Sequence, residues 1–337
     1  MDAAIKRLAS FVDSWLDSIG RIEPGISKVA SCNGVGAPLV CIDPSLGVPH
    51  AGDRMALVTT NEGLGVDVAR TIRRVAVDDA VWVPVVDQGR MTDPCVVLVH
   101  GMGDSWRSYE PVLKHVPEGL RVLAPSLRGH GDADRPHSGY TPADFVSDLV
   151  AILDDASVER AVIAGHSSGA QVAQLFAIVH PRRTLATVLL GAPGPMRDHP
   201  RVGDLDGLFS TLEDPIDPPL LRGFTESLFA GPAPAGFIDT QIAESLKVPA
   251  HVIRSTWAGI RAFDISDQLG HIAVPTLIVW GDQDRVPVAS KEAQDMLVRA
   301  IPDADLVVYD GVGHSPHWEQ PARFAADLAD FVRKIAA

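Results

Sequence analysis

Residues 160–180 read RAVIAGHSSGAQVAQLFAIVH, and the order of side chains in this stretch decides the fold. Ala161 to Ala164 form an apolar, partly β-branched run, which predicts a buried strand over Arg160–Ala164. The residues after Gly169 are apolar at helical spacing. Between the two lies Gly165-His166-Ser167-Ser168-Gly169, a Gly-x-Ser-x-Gly sequence. A serine in the middle of that pattern, with a strand before it and a helix after it, sits on a sharp turn. The flanking glycines leave room for strained backbone, and the hydroxyl is presented at the sheet edge. The pattern alone is common; the strand and helix around it make Ser167 a candidate nucleophile.

Outward from this unit the same alternation repeats. Strands are predicted at Ile72–Val77, Val81–Val86, Cys95–Val99, Leu120–Ala124, Arg160–Ala164, Ala186–Leu190, Pro275–Trp280 and Ala304–Tyr309, the first two as an antiparallel pair. Helices over Thr141–Asp155, Val288–Ala300 and Pro321–Ile335 fall between or after them. The first opens with a capping threonine and a proline, and places Phe145, Leu149, Ile152 and Leu153 on one stripe; the last places Phe324, Leu328 and Phe331 at helical spacing. The pattern predicts an α/β fold with a mostly parallel eight-stranded sheet covered by helices on both faces. Two regions break the rhythm. Residues 195–270 carry prolines and six large aromatics without a strand signal, and are expected to form a helical cap inserted into a core spanning 71–194 and 271–337. Residues 1–70 form an N-terminal extension: an amphipathic helix is predicted over Ala3–Ile19, followed by a Gly- and Pro-rich segment without periodicity.

Composition narrows the function. The 337 residues carry a net charge of -14, which argues against nucleic acid or an acidic membrane surface as a partner and in favour of a small-molecule substrate. The start of the chain is interrupted by charges, and nothing approaches the length of apolar sequence that a membrane span needs. Three cysteines, Cys32, Cys41 and Cys95, are too few for a disulfide framework and fit a reducing, cytoplasmic setting. Cys32, Cys41 and His50 match no tight metal-ligand spacing, so no metal site is expected.

A serine hydroxyl attacks only when a neighbouring base takes its proton, and the base needs a carboxylate to fix its tautomer. His314, in GVGHSPHWEQP at 311–321, follows the last predicted strand and is the expected base, with His317 as its rival; His166 and His100 read as structural. Asp284, in WGDQDRVP at 280–287, is the expected orienting acid, with Asp282 as the alternative. HGMG at 100–103 follows the strand Cys95–Val99, so the backbone N–H groups of Met102 and Ser168 are the expected oxyanion donors. Trp106, beside that loop, and Trp257, in the insertion, are candidate substrate-binding residues, with core packing as the competing role for each.

Five blocks in order, HGMGDSW, LRGHGDADRP at 127–136, GHSSG, WGDQDRVP and GVGHSPHWEQP, make the chain resemble the esterase-type members of the α/β-hydrolase superfamily over roughly residues 75 to 335. That resemblance implies a Ser-Asp-His triad, a cap over the site, catalysis without a cofactor, and frequent homodimerisation. It leaves residues 1–70 without a counterpart. Ester or lactone hydrolysis through an acyl-enzyme is the first expectation; carbon–carbon bond hydrolysis and perhydrolysis use the same triad, and a hydrolase-like ligand receptor is a reading of a different class. Epoxide hydrolases and haloalkane dehalogenases of this fold carry an aspartate where Ser167 stands.

Overall fold

The computed structural model describes residues 54–55, 70–196, 199–234 and 236–336. The amphipathic helix expected over Ala3–Ile19, together with Cys32, Cys41 and His50, lies outside them. The eight expected strands are all present: β2 (Arg70–Asp78), β3 (Val81–Gln88), β4 (Cys95–Val99), β5 (Arg121–Pro125), β6 (Ala161–His166), β7 (Thr184–Leu190), β8 (Thr276–Gly281) and β9 (Ala304–Tyr309). A two-residue strand, β1 (Arg54–Met55), adds a ninth member at the edge; so short a segment carries no periodicity that a sequence reading could detect. The order in the sheet is β1-β2-β3-β5-β4-β6-β7-β8-β9. β1, β2, β3 and β5 pair antiparallel in succession, and every pairing from β5 through β4 to β9 is parallel.

The order has a functional consequence. From β4 the chain crosses to β5 on one side and then to β6 on the other, so sequence order reverses between β4 and β6. In open parallel sheets the crevice for ligands lies outside the carboxyl ends of strands at such a point. The register places Val99 beside Gly165, which sets the HGMG loop next to the GHSSG turn although 65 residues of numbering separate Gly101 from His166.

Helices α1 (Glu110–Leu113), α2 (Pro142–Asp155), α3 (Ser168–Val179), α8 (Lys291–Ala300), α9 (Pro316–Glu319) and α10 (Pro321–Ala336) accompany the sheet, and between β7 and β8 the chain runs through α4 (Val202–Phe209), α5 (Pro218–Ser227), α6 (Phe237–Ser245) and α7 (Ala250–Ala262). The stripe expected on α2 is buried at Phe145, Leu149, Ile152 and Leu153. Each such side chain removed from water contributes about 1.5–3 kcal/mol. On α10, Phe324 and Leu328 are buried as expected, whereas Phe331 is half-buried and Val332 takes the inward place. The core includes the alternate inward residues Val96, Leu98, Val162, Ala164, Val188 and Val279 from four neighbouring parallel strands. The aromatics between β7 and β8 pack on one another: Phe209 stands 5.5 Å from Phe224 and 5.1 Å from Trp257, and Phe229 stands 5.5 Å from Trp318 of α9.

The start of α2 is closed by a reciprocal cap. The Thr141 hydroxyl accepts from the Asp144 N–H, and the Asp144 carboxylate accepts from the Thr141 N–H at 2.8 Å. Replacing Thr141 with alanine removes one acceptor from the exposed helix start while leaving the buried stripe intact. Thr141→Ala is expected to lower the free energy of unfolding by about 1 kcal/mol, read as a lower urea midpoint at unchanged m-value.

Candidate active site

Ser167 follows the last residue of β6 and precedes the first residue of α3, with φ 53° and ψ -118°. For a residue with a Cβ this backbone is costly, of order 1–3 kcal/mol, and persists only where the surroundings fix it. They do so here through two glycines. A Cβ on Gly165 would lie 2.0 Å from the carbonyl oxygen of Gly169, and one on Gly169 would lie 2.5 Å from that of Val99 at the end of β4. The turn is therefore pressed into a space that only hydrogen atoms can share. Its position is completed by the Ser167 N–H, which donates to the Leu190 carbonyl at the end of β7, 2.9 Å away. The Ser167 residue is left half-exposed.

Asp284 sits in the turn after β8. One carboxylate oxygen accepts from the Val286 N–H at 2.9 Å, and the other stands 2.8 Å from Nδ1 of His314. Both side chains are nearly closed to solvent, the carboxylate completely. Because a carboxylate only accepts, Nδ1 carries the proton and Nε2 is free to act as a base. Asp282, the alternative, points elsewhere: its carboxylate accepts from the Gly311 N–H at 2.7 Å and braces the turn after β9. His314 lies against the end of β7, where Gly191 makes room for it; a Cβ there would come within 3.0 Å of Nδ1 and 2.7 Å of the His314 carbonyl oxygen. The imidazole stands 4.9 Å, centroid to centroid, from that of His166, the neighbour of Ser167. Ser167, His314 and Asp284 thus share one carboxyl edge of the sheet. No hydrogen bond joins the Ser167 hydroxyl to His314 among the described residues.

Met102 and Ser168, the two expected oxyanion donors, border one small cavity, which Thr256 and Ile260 of α7 also line. Ser168 opens α3, so its N–H has no acceptor within the helix. The two tryptophans are placed differently. Trp106 belongs to the core cluster with the Arg107 guanidinium over its ring, and Trp257 packs on Phe209 with its indole N–H donating to Asp206 at 3.0 Å. Both indoles are occupied by packing, and neither is among the residues lining this cavity.

The remaining histidines hold the loops together. His100 Nδ1–H donates to the Gly101 carbonyl at 2.7 Å and its Nε2 accepts from the Leu127 N–H at 2.9 Å, tying the HGMG loop to LRGHG. His166 Nε2–H donates to the His314 carbonyl at 3.2 Å. His317 stands 3.1 Å from the Ser108 hydroxyl and packs on Tyr109, His166 and Trp318, which leaves His314 as the histidine at the carboxylate. Burial lowers the pKa of all these rings: His100 to about 3, His166 and His317 well below the ordinary range. Asp104 lies 4.0 Å from His166 and is pushed up to about 7 by burial. Cys95 is buried, and its thiol is pushed up to about 12, so it is no nucleophile at neutral pH.

Glu319 is the residue that sequence reasoning missed. Its carboxylate accepts from the Gly313 N–H at 2.7 Å and from the Ala230 N–H at 3.1 Å, while the His314 N–H donates to the Leu228 carbonyl at 2.9 Å. The loop carrying the imidazole is thereby fastened to the segment between α5 and α6. An acidic residue within GVGHSPHWEQP, six positions after Gly313, is the only sequence signal that could have pointed to it.

Comparison with known proteins agrees with this architecture. The model of the alpha/beta hydrolase family matches residues 96–327. Epoxide hydrolase A of Mycobacterium tuberculosis is 29% identical over 315 residues, covering 77% of this chain and 96% of the relative. The 2-hydroxy-6-oxononadienedioate/2-hydroxy-6-oxononatrienedioate hydrolase of Cupriavidus pinatubonensis is 28% identical over 257 residues, covering 70% and 86%. The solved structure of the esterase RhEst1 from Rhodococcus sp. superposes with a TM-score of 0.68 at 26% identity, covering 78% of this chain and 99% of that one.

Two measurements follow from this geometry. Asp284→Asn is expected to lower kcat on the order of 10^4-fold by presenting the wrong tautomer of His314, whereas Asp282→Asn lowers it less than about tenfold; equal losses would remove the distinction. The second concerns acid. His100, His130, His166 and His317 are neutral when folded, with His130 at about 4, while the unfolded chain protonates them below about pH 6.5. The unfolded state then binds more protons, so stability falls as pH drops through that point toward the folded values. Asp104 opposes this, because its folded pKa is raised and its contribution declines as pH rises from about 4 to about 7. Asp148, pushed up to about 6 by burial, and Glu319, also raised by burial, act in the same sense as Asp104; the four histidines outweigh the three carboxyls, and the urea midpoint is expected to drop between about pH 6.5 and about pH 5, whereas a midpoint that rises over that interval would contradict the balance.

Proposed function

The chain belongs to the α/β-hydrolase family, and from that premise we propose that it hydrolyses a carboxylic ester or lactone of a small, largely apolar molecule through an acyl-enzyme on Ser167. The observation that carries this reading is the meeting at one sheet edge of a strained, half-exposed serine and a buried histidine–carboxylate pair 2.8 Å apart. In the proposed cycle His314 Nε2 takes the hydroxyl proton as Ser167 Oγ attacks the acyl carbonyl. The carbonyl oxygen, now negative, accepts from the N–H groups of Met102 and Ser168. The imidazolium, steadied by Asp284, returns the proton to the leaving alcohol, and a water activated by the same imidazole then releases the acid.

The helices between β7 and β8 are assigned the part of a cap. α7 supplies Thr256 and Ile260 to the cavity beside the oxyanion amides, and the Ser245 hydroxyl at the end of α6 donates to the Gly103 carbonyl at 2.9 Å. The relative named as an epoxide hydrolase does not transfer that activity, because the epoxide hydrolases of this fold act through an aspartate and this chain has Ser167 in its place. A second reading, hydrolysis of a carbon–carbon bond, is favoured by the Cupriavidus relative, which the same serine mechanism would accommodate.

The test is labelling and turnover on one protein. A fluorophosphonate is expected to label the wild type and leave Ser167→Ala unlabelled, with ester turnover lowered by on the order of 10^4-fold or more. Persistent labelling of the variant would refute the nucleophile. A panel of short esters, lactones and ring-cleavage diketones, with Ser167→Ala as blank, separates the two readings by which member is turned over.

A further inference from the structure

A histidine serves as a base only where the backbone beneath it is held still, and one carboxylate stands where the backbone of His314 is held. Glu319, the last residue of α9, meets three backbone N–H groups: one oxygen accepts from Gly313 at 2.7 Å, and the other accepts from Ala230 at 3.1 Å and from Gly231 at 3.4 Å. Gly313 precedes His314 in the chain, and Ala230 and Gly231 belong to the segment after α5. One oxygen therefore serves the histidine loop, and the other serves a distant stretch of backbone.

The two stretches are pressed together at this point. A Cβ on Gly313 would lie 2.5 Å from the Leu228 carbonyl oxygen and 2.8 Å from the Ala230 nitrogen. The His314 N–H donates to that same Leu228 carbonyl at 2.9 Å, and the His314 carbonyl accepts from His166 at 3.2 Å. With the backbone gripped on both sides of its Cα and Nδ1 held 2.8 Å from Asp284, the place of Nε2 is set. Trp318 adds the apolar half of the grip, its ring centroid 5.5 Å from that of Phe229 and 5.4 Å from that of Phe237. Apolar packing is non-directional, so it holds the stretches together without fixing their offset; the hydrogen bonds fix it.

We propose that Glu319 is a positioning residue for His314, its carboxylate setting the offset between the histidine loop and the segment after α5 and so the place of the base. This rests on the ester-hydrolase reading above, in which His314 takes the proton of Ser167, and deepens it. A carboxylate suits the post because it accepts at both oxygens and donates nothing. Glutamine keeps the shape but has one accepting oxygen, so its amide nitrogen meets an N–H on one of the two sides. The Trp318 cluster and the bond from His314 to Leu228 remain in that variant, so the loss falls on alignment and not on the fold.

The experiment measures kcat and KM for p-nitrophenyl acetate per folded molecule, the folded fraction being read by near-UV circular dichroism. Glu319→Gln is expected to lower kcat about 10- to 100-fold at nearly unchanged KM, because a misplaced base is felt in the transition state and not in binding. Thr141→Ala, destabilised at the start of α2, keeps the wild-type kcat. In a His314→Ala background there is no base to place, so adding Glu319→Gln changes the residual turnover by less than about twofold. A residue that only holds the fold lowers both proteins by the same factor. A kcat of Glu319→Gln within about twofold of the wild type, or equal losses with and without His314, overturns the proposal while leaving the serine mechanism standing. If the wild type turns over no ester, or His314→Ala matches it, the reading above fails for this substrate and a measurement independent of activity decides. The proton between His314 Nδ1 and Asp284 is followed as a low-field NMR signal that Asp284→Asn lacks. Faster exchange of that proton with water in Glu319→Gln upholds the positioning role, and an unchanged rate overturns it.

Discussion

The site depends on a single steric constraint, the contact between the turn at Gly165–Gly169 and the end of β4. Neighbouring parallel strands are spaced by their hydrogen bonds, so the turn leaving β6 must pass the carboxyl end of β4 at a distance that admits no Cβ at Gly169. That closeness forces Ser167 into its positive φ and brings the HGMG backbone alongside the first turn of α3. The nucleophile proposed here and the amides proposed to receive its oxyanion are thus positioned by the same packing event. Little further machinery is needed to align them.

The remaining members are delivered by strand order. β7 and β8 carry the sheet onward to β9, and the turns after β8 and β9 hold Asp284 and His314. What keeps the imidazole at the right height is a set of backbone bonds: His314 to Leu228, and Gly313 to Glu319. The segment between α5 and α6 therefore shapes the histidine loop as well as adjoining it.

Polar groups around the site are tied together by bonds within the fold. Arg128 and Asp148 form a buried, two-point ion pair beneath the LRGHG loop, and His100 joins that loop to HGMG. Those bonds are complete within the fold and make the loops rigid.

The sequence by itself determined the strands, the parallel arrangement, and the positions of the proposed nucleophile, acid and base. These follow from local signals: apolar runs of strand length, glycines flanking a serine, and polar residues just beyond strand ends. Only the tertiary structure shows that Asp284 meets His314 while Asp282 and His317 bond elsewhere, since residues two or three apart on a loop can point in opposite directions with equal local plausibility. The same holds for Trp106 and Trp257, whose large apolar rings suit a pocket wall and a core equally well until their neighbours are known. Glu319 was illegible for a related reason. Its importance lies in contacts with residues roughly 90 positions away in the chain, and no periodicity or motif encodes a contact of that length.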